Sequence, residues 1–119
     1  MMSAAGQIVP SVEWMQAMAE ICKDRGVLMV ADEALTGFGR IGKWFAFEHF
    51  GVVPDIVTCS KGLGGAVPLC AVVTSAEIAD DAAPKGFLPF SSHAGDPLLC
   101  AAGLANLEII QRDNLVENA

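Results

Sequence analysis

Basic residues are few: seven lysines and arginines stand against fourteen aspartates and glutamates, for a formal net charge of −7. No basic stripe forms anywhere along the chain, which removes nucleic acid from the expected partners, because phosphate binding depends on clustered cations. Charge of either sign is sparse, at 18% of residues against 53% hydrophobic. That balance is apolar for a small domain, whose large surface-to-volume ratio calls for polar cover. It reads as the interior of a larger protein or as one face of an obligate oligomer. A soluble domain with a dense core is the plainer alternative.

Long apolar runs are missing as well. The longest stretch free of Asp, Glu, Lys and Arg, from Gly62 to Ala76, is glycine-rich and broken by Pro68, so no membrane span is expected. Met1-Met2-Ser3-Ala4-Ala5-Gly6 carries neither the basic patch nor the apolar run of a signal peptide. Cys22, Cys59, Cys70 and Cys100 show no CxxC spacing and no clustering with His49 or His93. No metal site is therefore expected, and the four read as buried free thiols of a reducing cytoplasm. Repeats, low-complexity tracts and linkers are absent too, which leaves one packed unit of 119 residues.

What the chain does contain alternates between helical and strand patterns. From Ser11 to Arg25 the apolar residues Val12, Met15, Met18, Ala19 and Cys22 recur at steps of three and four, between Pro10 and Gly26. Val27 to Ala31 is a continuous apolar run, which predicts a strand covered on both faces as in parallel sheets. Thr36 to Lys43 holds three glycines and reads as a loop. Trp44 to Phe50 is a short helix closed by Gly51. Pro54-Asp55 introduces a strand over Ile56–Cys59, and Leu69 to Thr74 is a third. Ala76 to Ala83 is a short helix, and Pro84 to Gly95 is irregular. Asp96-Pro97 supplies an N-cap and first-turn proline for a helix running to about Arg112. The layout is α/β.

Two of these strands end in chemistry. The first runs into Asp32-Glu33, and the second into Ser60-Lys61-Gly62-Leu63-Gly64-Gly65. The glycine run is neither a Walker A loop nor GxGxxG, and it serves to turn the backbone closely past a ligand or a neighbouring strand. An amine and a carboxylate at the mouths of two strands suit an aldehyde cofactor with a basic ring nitrogen, pyridoxal phosphate. Such a cofactor needs a lysine to capture the aldehyde, a carboxylate to keep the pyridine nitrogen protonated, and donors for the phosphate. Lys61 and Asp32 meet the first two needs, while Ser60, Ser91, Ser92 and Gly62 to Gly65 offer partial candidates for the third. Singly, each signal is weak: a lone lysine in a glycine loop is ordinarily solvated, and an Asp at a strand end ordinarily caps a turn.

Together they are specific. Asp32-Glu33-Ala34-Leu35-Thr36-Gly37-Phe38-Gly39-Arg40, Pro54-Asp55-Ile56, the Ser60–Gly65 run and Ser92-His93-Ala94-Gly95-Asp96-Pro97-Leu98 closely resemble the signature of class III (ω-type) aminotransferases. The resemblance covers roughly Gly26 to Ile110. It implies the aspartate aminotransferase-like fold, with a central, mostly parallel sheet flanked by helices, of which this chain is the central part of the large domain. It further implies Lys61 as the Schiff-base lysine and general acid/base, Asp32 at the pyridinium nitrogen, and Ala34 against the ring face. Ser92 aligns with a threonine that reaches the cofactor phosphate across a homodimer interface. The implied partners are a small-molecule amino donor and a keto-acid acceptor.

Two departures qualify the match. Leu35 stands where the family most often has a glutamine near the cofactor's phenolic oxygen, and leucine cannot donate. Family members are also several times longer, and the N-terminal phosphate loop, the ring-stacking aromatic and the C-terminal small domain have no counterpart in these residues. The expectation is a partial large domain. Transamination is the leading reaction, with decarboxylating dialkylglycine-type or aminomutase chemistry as family alternatives, and a truncated non-catalytic fragment or interaction module as the alternative of another class. Among the remaining residues, His49 reads as a packing or capping residue and His93 as a loop residue. Glu33 and Arg40 are placed to form an ion pair across the loop, and Trp14, Trp44, Phe45 and Phe47 read as core or interface aromatics.

Overall fold

The computed structural model describes residues 6–87 and 91–119. The N-terminal reading of residues 1–5, and residues 88–90 of the irregular stretch, lie outside it. Helix α1 spans Val12–Arg25, and both ends follow from the sequence: the Ser11 side chain accepts the Trp14 amide, and Gly26 turns left-handed at φ 62°. A serine N-cap of this kind is worth about 1 kcal/mol. Strand β1 (Val30–Asp32) follows, then a loop and a 3₁₀ turn (Ala46–Phe50) closed by Gly51 at φ 65°. Strand β2 (Ile56–Cys59), a 3₁₀ turn over Lys61–Leu63 and strand β3 (Ala71–Thr74) come next. Helices α2 (Ala76–Ala82), α3 (Pro97–Arg112) and α4 (Leu115–Asn118) complete the described chain, with a third 3₁₀ turn over Ala83–Lys85.

The sheet is mixed and ordered β1-β2-β3. β1 and β2 run parallel, with Val30 opposite Ile56 and Asp32 opposite Thr58, while β3 returns antiparallel to β2. A parallel pair needs a crossover. Here the loop and 3₁₀ turn between Asp32 and Ile56 supply it. Gln16 of α1 donates to Phe50 O at 3.0 Å and ties this crossover to the helix.

β1 is shorter and later than the run Val27–Ala31 predicts. The Met29 amide is taken by the Asp55 carboxylate at 2.7 Å, and Met29 O accepts from the amides of Asp55 and Ile56. The chain before Val30 is thus held by side-chain and loop contacts. Cover on both faces is also not found: Val27, Leu28 and Val30 are more than half exposed, as are Val72 and Val73 of β3. Trp14 is 55% exposed, so of its core and interface readings the core one does not hold. Of the four free cysteines only Cys59 is buried, while Cys70, just before β3, and Cys100, on α3, are exposed. The buried apolar residues, among them Ala46, Phe50, Val52, Cys59, Leu63 and Ile110, come from the crossover, the end of β2, the turn after it and α3. Among the described residues no helix is long and apolar enough to cross a membrane, and no cluster of metal-ligating side chains occurs.

Candidate functional site

Neighbouring parallel strands open their carboxyl ends on the same side, which is where open α/β sheets bind ligands. Asp32 closes β1 there, opposite Thr58, and Lys61 lies three residues beyond Thr58 on the adjacent strand. Asp32 is exposed, and its Oδ1 accepts the Ala34 amide at 3.0 Å. That bond folds Ala34 and Leu35 into a turn, Ala34 half-buried and Leu35 38% exposed.

Glu33 points the other way. It is 2% exposed, and its amide donates to Thr58 O at 2.9 Å, extending the ladder past Asp32. One carboxylate oxygen accepts the Thr36 hydroxyl, and the other accepts the Phe47 amide at 3.1 Å. Its main-chain oxygen accepts from Gly37 at 2.9 Å. The expected pairing with Arg40 does not form. Arg40 is exposed, and the ion pairs among the described residues are Asp81–Lys85, His93–Asp96 and Arg112–Asp113. Buried donors of the loop have claimed the carboxylate instead. His49 accordingly serves the loop, with Nε2 2.9 Å from Ile41 O. Phe45 joins Phe38 edge-on and stacks on Phe47, both at 5.4 Å between centroids.

Lys61 is exposed and adopts φ 41°, the left-handed region a non-glycine residue rarely enters. Such backbone outliers cluster at functional sites. The glycine after it lets the two loops meet: a Cβ on Gly62 would lie 3.3 Å from Gly37 O and 3.4 Å from Phe38 Cβ. The side chain of Asn106, from α3, donates to Gly62 O at 2.7 Å and Leu63 O at 3.1 Å. Beneath the lysine, burial first and the Glu33 charge second push the Cys59 thiol above its ordinary pKa.

The loops touch, yet the two side chains border different hollows. Lys61 lines one of about 630 Å³ with Phe38, Arg40 and Asn106. Asp32 lines one of about 780 Å³ between α1 and β1, with Trp14, Met18 and Phe47. No ion pair joins Lys61 to any carboxylate among the described residues. Asp32 uses one oxygen on Ala34 and leaves the other outside the hydrogen bonds of the described residues. By residue type, a primary amine and a carboxylate are what the aldehyde and the ring nitrogen of pyridoxal phosphate would need, though here they line separate hollows. Ser92 lies exposed in the loop before α3, apart from both hollows. Glu33 and Asn106 are the site's unforeseen members. The sequence signal for Asn106 is a lone amide among Leu104, Ala105 and Leu107.

The family model described as aminotransferase class-III matches residues 1–119. An uncharacterized aminotransferase of Schizosaccharomyces pombe is 46% identical over 118 residues, 99% of this chain and 26% of that protein. A probable 4-aminobutyrate aminotransferase of Bacillus subtilis is 49% identical over 114 residues, 96% of this chain and 26% of that protein. Among solved structures, a thermostable (S)-enantioselective omega-transaminase from Thermomicrobium roseum superposes with a TM-score of 0.90 at 40% identity, covering 98% of this chain and 27% of that one. The chain thus spans about a quarter of the length of the curated relatives it matches.

Proposed function

Because the chain belongs to the class-III aminotransferase family, we propose that it carries the amine-and-carboxylate part of a pyridoxal phosphate site within a longer enzyme. That enzyme moves an amino group from an amine or amino acid to a keto acid. When bound, the cofactor supplies an aldehyde for the amine and a ring that withdraws electrons from the substrate's reacting carbon. Lys61 would be the residue that holds the aldehyde, and its Nζ would take and return the substrate's α-proton. The free oxygen of Asp32 keeps a proton on the ring nitrogen. Ala34 would pack against the ring face, and Leu35 would lend the cofactor no hydrogen bond. Ser92 offers its hydroxyl to the phosphate across a homodimer interface, and the free thiols suit a reducing cytoplasm.

The observation that carries this reading is the contact of Gly62 with Gly37 and Phe38. It brings together the loops that follow Asp32 and Lys61 on adjacent parallel strands. The test is chemical. Purified protein is mixed with pyridoxal phosphate, reduced with borohydride and mapped by peptide mass. The phosphopyridoxyl label is expected on Lys61 in preference to Lys23, Lys43 and Lys85, and Lys61→Ala is expected to lose it. Equal labelling of all four lysines would refute the assignment. On the full-length enzyme, carbon dioxide released from a dialkylglycine would indicate the decarboxylating branch, and turnover without a second substrate the aminomutase branch.

A second reading rests on the exposed apolar residues of β1 and β3, Val30, Val72 and Val73. Uncovered strand faces of this kind favour a chain that needs further protein over its sheet before it acts, and that alone is non-catalytic. Strong binding of a hydrophobic dye and aggregation of the isolated chain would support that reading. A stable dimer loaded with cofactor would refute it.

A further inference from the structure

Gly62 O and Leu63 O both depend on the one amide of Asn106, at 2.7 and 3.1 Å. An amide nitrogen carries two N–H groups, so one asparagine can serve both carbonyls only with its nitrogen turned toward them. The remaining oxygen, Oδ1, then faces Gly65, where a Cβ would come within 2.9 Å of it. Gly65 itself is left-handed, at φ 65°. The Asn106 side chain is therefore clasped by the turn that begins at Lys61 and ends at Gly65. Its helix packs closely there: a Cβ on Gly103, one turn earlier, would press on the Leu69 side chain, and Ile110, one turn later, is buried. Asn106 and Lys61 also line the same hollow.

The left-handed conformation of Lys61 is unfavourable for a residue with a side chain and persists only where its surroundings hold it. In the turn after Lys61, the Asn106 amide ties the two main-chain carbonyls to a helix more than 40 residues distant. We propose that Asn106 is a positioning residue for Lys61. Acting through the carbonyls of Gly62 and Leu63, it fixes the backbone conformation that presents the lysine amine at the strand ends. It touches neither cofactor nor substrate. The chemical part of this proposal rests on Lys61 as the amine that holds pyridoxal phosphate.

The test compares the 119-residue chain with N106D, which keeps the shape but replaces the donor by an acceptor, and with N106Q, which keeps the donor. Two readouts are used: the ¹³Cα and ¹³Cβ shifts of Lys61, which report its backbone conformation without cofactor, and the borohydride-trapped label on Lys61 relative to Lys23, Lys43 and Lys85. In folded N106D the Lys61 shifts are expected to leave their left-handed values. Trapping at Lys61 should fall roughly tenfold, as the loss of two ordinary hydrogen bonds would give, and N106Q should recover part of both. Unchanged Lys61 shifts and trapping in folded N106D would overturn the proposal. Should N106D unfold, N106A removes the donor without adding charge and is judged by the same readouts. If the wild-type chain labels all four lysines alike, the cofactor reading of Lys61 fails, and the shifts alone then decide whether Asn106 holds the turn.

Discussion

Glu33 accepts the main-chain amide of Phe47 at 3.1 Å across 14 residues of chain, and in doing so anchors the loop that follows Asp32. The same carboxylate takes the Thr36 hydroxyl, and the residue is 2% exposed. Removing the side chain would strand two donors, the buried Thr36 hydroxyl and the half-buried Phe47 amide, each costing up to about 1–3 kcal/mol. Glu33→Ala is therefore expected to lose about 3 kcal/mol of stability, a large part of what a small domain has. Glu33→Gln keeps an acceptor for Phe47 and a group that can meet Thr36, and should lose about 1 kcal/mol. Urea unfolding followed by circular dichroism measures both. Equal losses would mean that the two bonds do not hold the loop.

Gly64 tests the turn after Lys61 by sterics alone. Its φ of −86° is ordinary, so an added methyl group brings no conformational penalty of its own. A Cβ there would nevertheless collide with Val67 O and lie 3.1 Å from Leu69 Cβ. Backbone cannot rotate away as a side chain can. Gly64→Ala should cost about 2 kcal/mol, in the range of other overpacked sites. Gly42→Ala is a useful contrast, because a Cβ there meets nothing within 4 Å and the cost comes only from φ 78°, at about 1 kcal/mol. The comparison is read from unfolding midpoints.

Local signals are legible in the sequence because each acts within a few residues. Ser11 and Gly26 bound α1, Asp96 takes the amides of Leu98 and Leu99 at the start of α3, and β2 occupies the predicted span Ile56–Cys59. The strand ends at Asp32 and Lys61 were legible for the same reason, and the motif around them pointed to the family. What escaped depends on distant partners. The expectation of a Glu33–Arg40 pair considered only opposite charges close in sequence, whereas Phe47 and Thr36 compete for that carboxylate from inside the fold. The start of β1 was moved by Asp55, 26 residues away, and Asn106 acts across 44. Neither leaves a periodic trace. The exposed strands agree with the apolar composition read as the interior of something larger. The cover on both faces predicted for Val27–Ala31 is not found, because an apolar run reports what a surface needs, not whether these residues provide it.

Cys59 offers a test in pH. Burial raises its pKa first, and the negative charge of Glu33 adds to the rise. A raised folded pKa means that the neutral thiol is favoured by folding. The associated stability is fully present below the ordinary thiol pKa of about 8.5 and is lost as pH climbs through the higher folded value. Iodoacetamide should therefore modify exposed Cys70 and Cys100 first, with Cys59 lagging until the pH is well above that range. Glu33→Gln removes the second cause and should bring the Cys59 profile part of the way down. Mass mapping at a series of pH values reads all the thiols in one sample, and a Cys59 profile overlapping that of Cys70 would contradict the prediction.

Asp32→Asn separates the charge at the strand end from its structural duty. The asparagine oxygen can still accept the Ala34 amide, now bonded at 3.0 Å, so the turn and the overall stability should be kept. What disappears is the negative charge that would hold a proton on a ring nitrogen. A hydrogen bond to a charged partner contributes about 1.5–3 kcal/mol, so affinity for pyridoxal phosphate should fall on the order of tenfold to a hundredfold. The covalent step belongs to Lys61, and saturating cofactor should still leave its borohydride-stable label there. Lys61→Ala should do the opposite, losing the label at every concentration. Titration of labelling against cofactor distinguishes the two variants, because a carboxylate that tunes the ring shifts the midpoint and an amine that bonds to it removes the plateau. If Asp32→Asn binds as tightly as the wild-type chain, Asp32 acts only as a cap for the turn at Ala34.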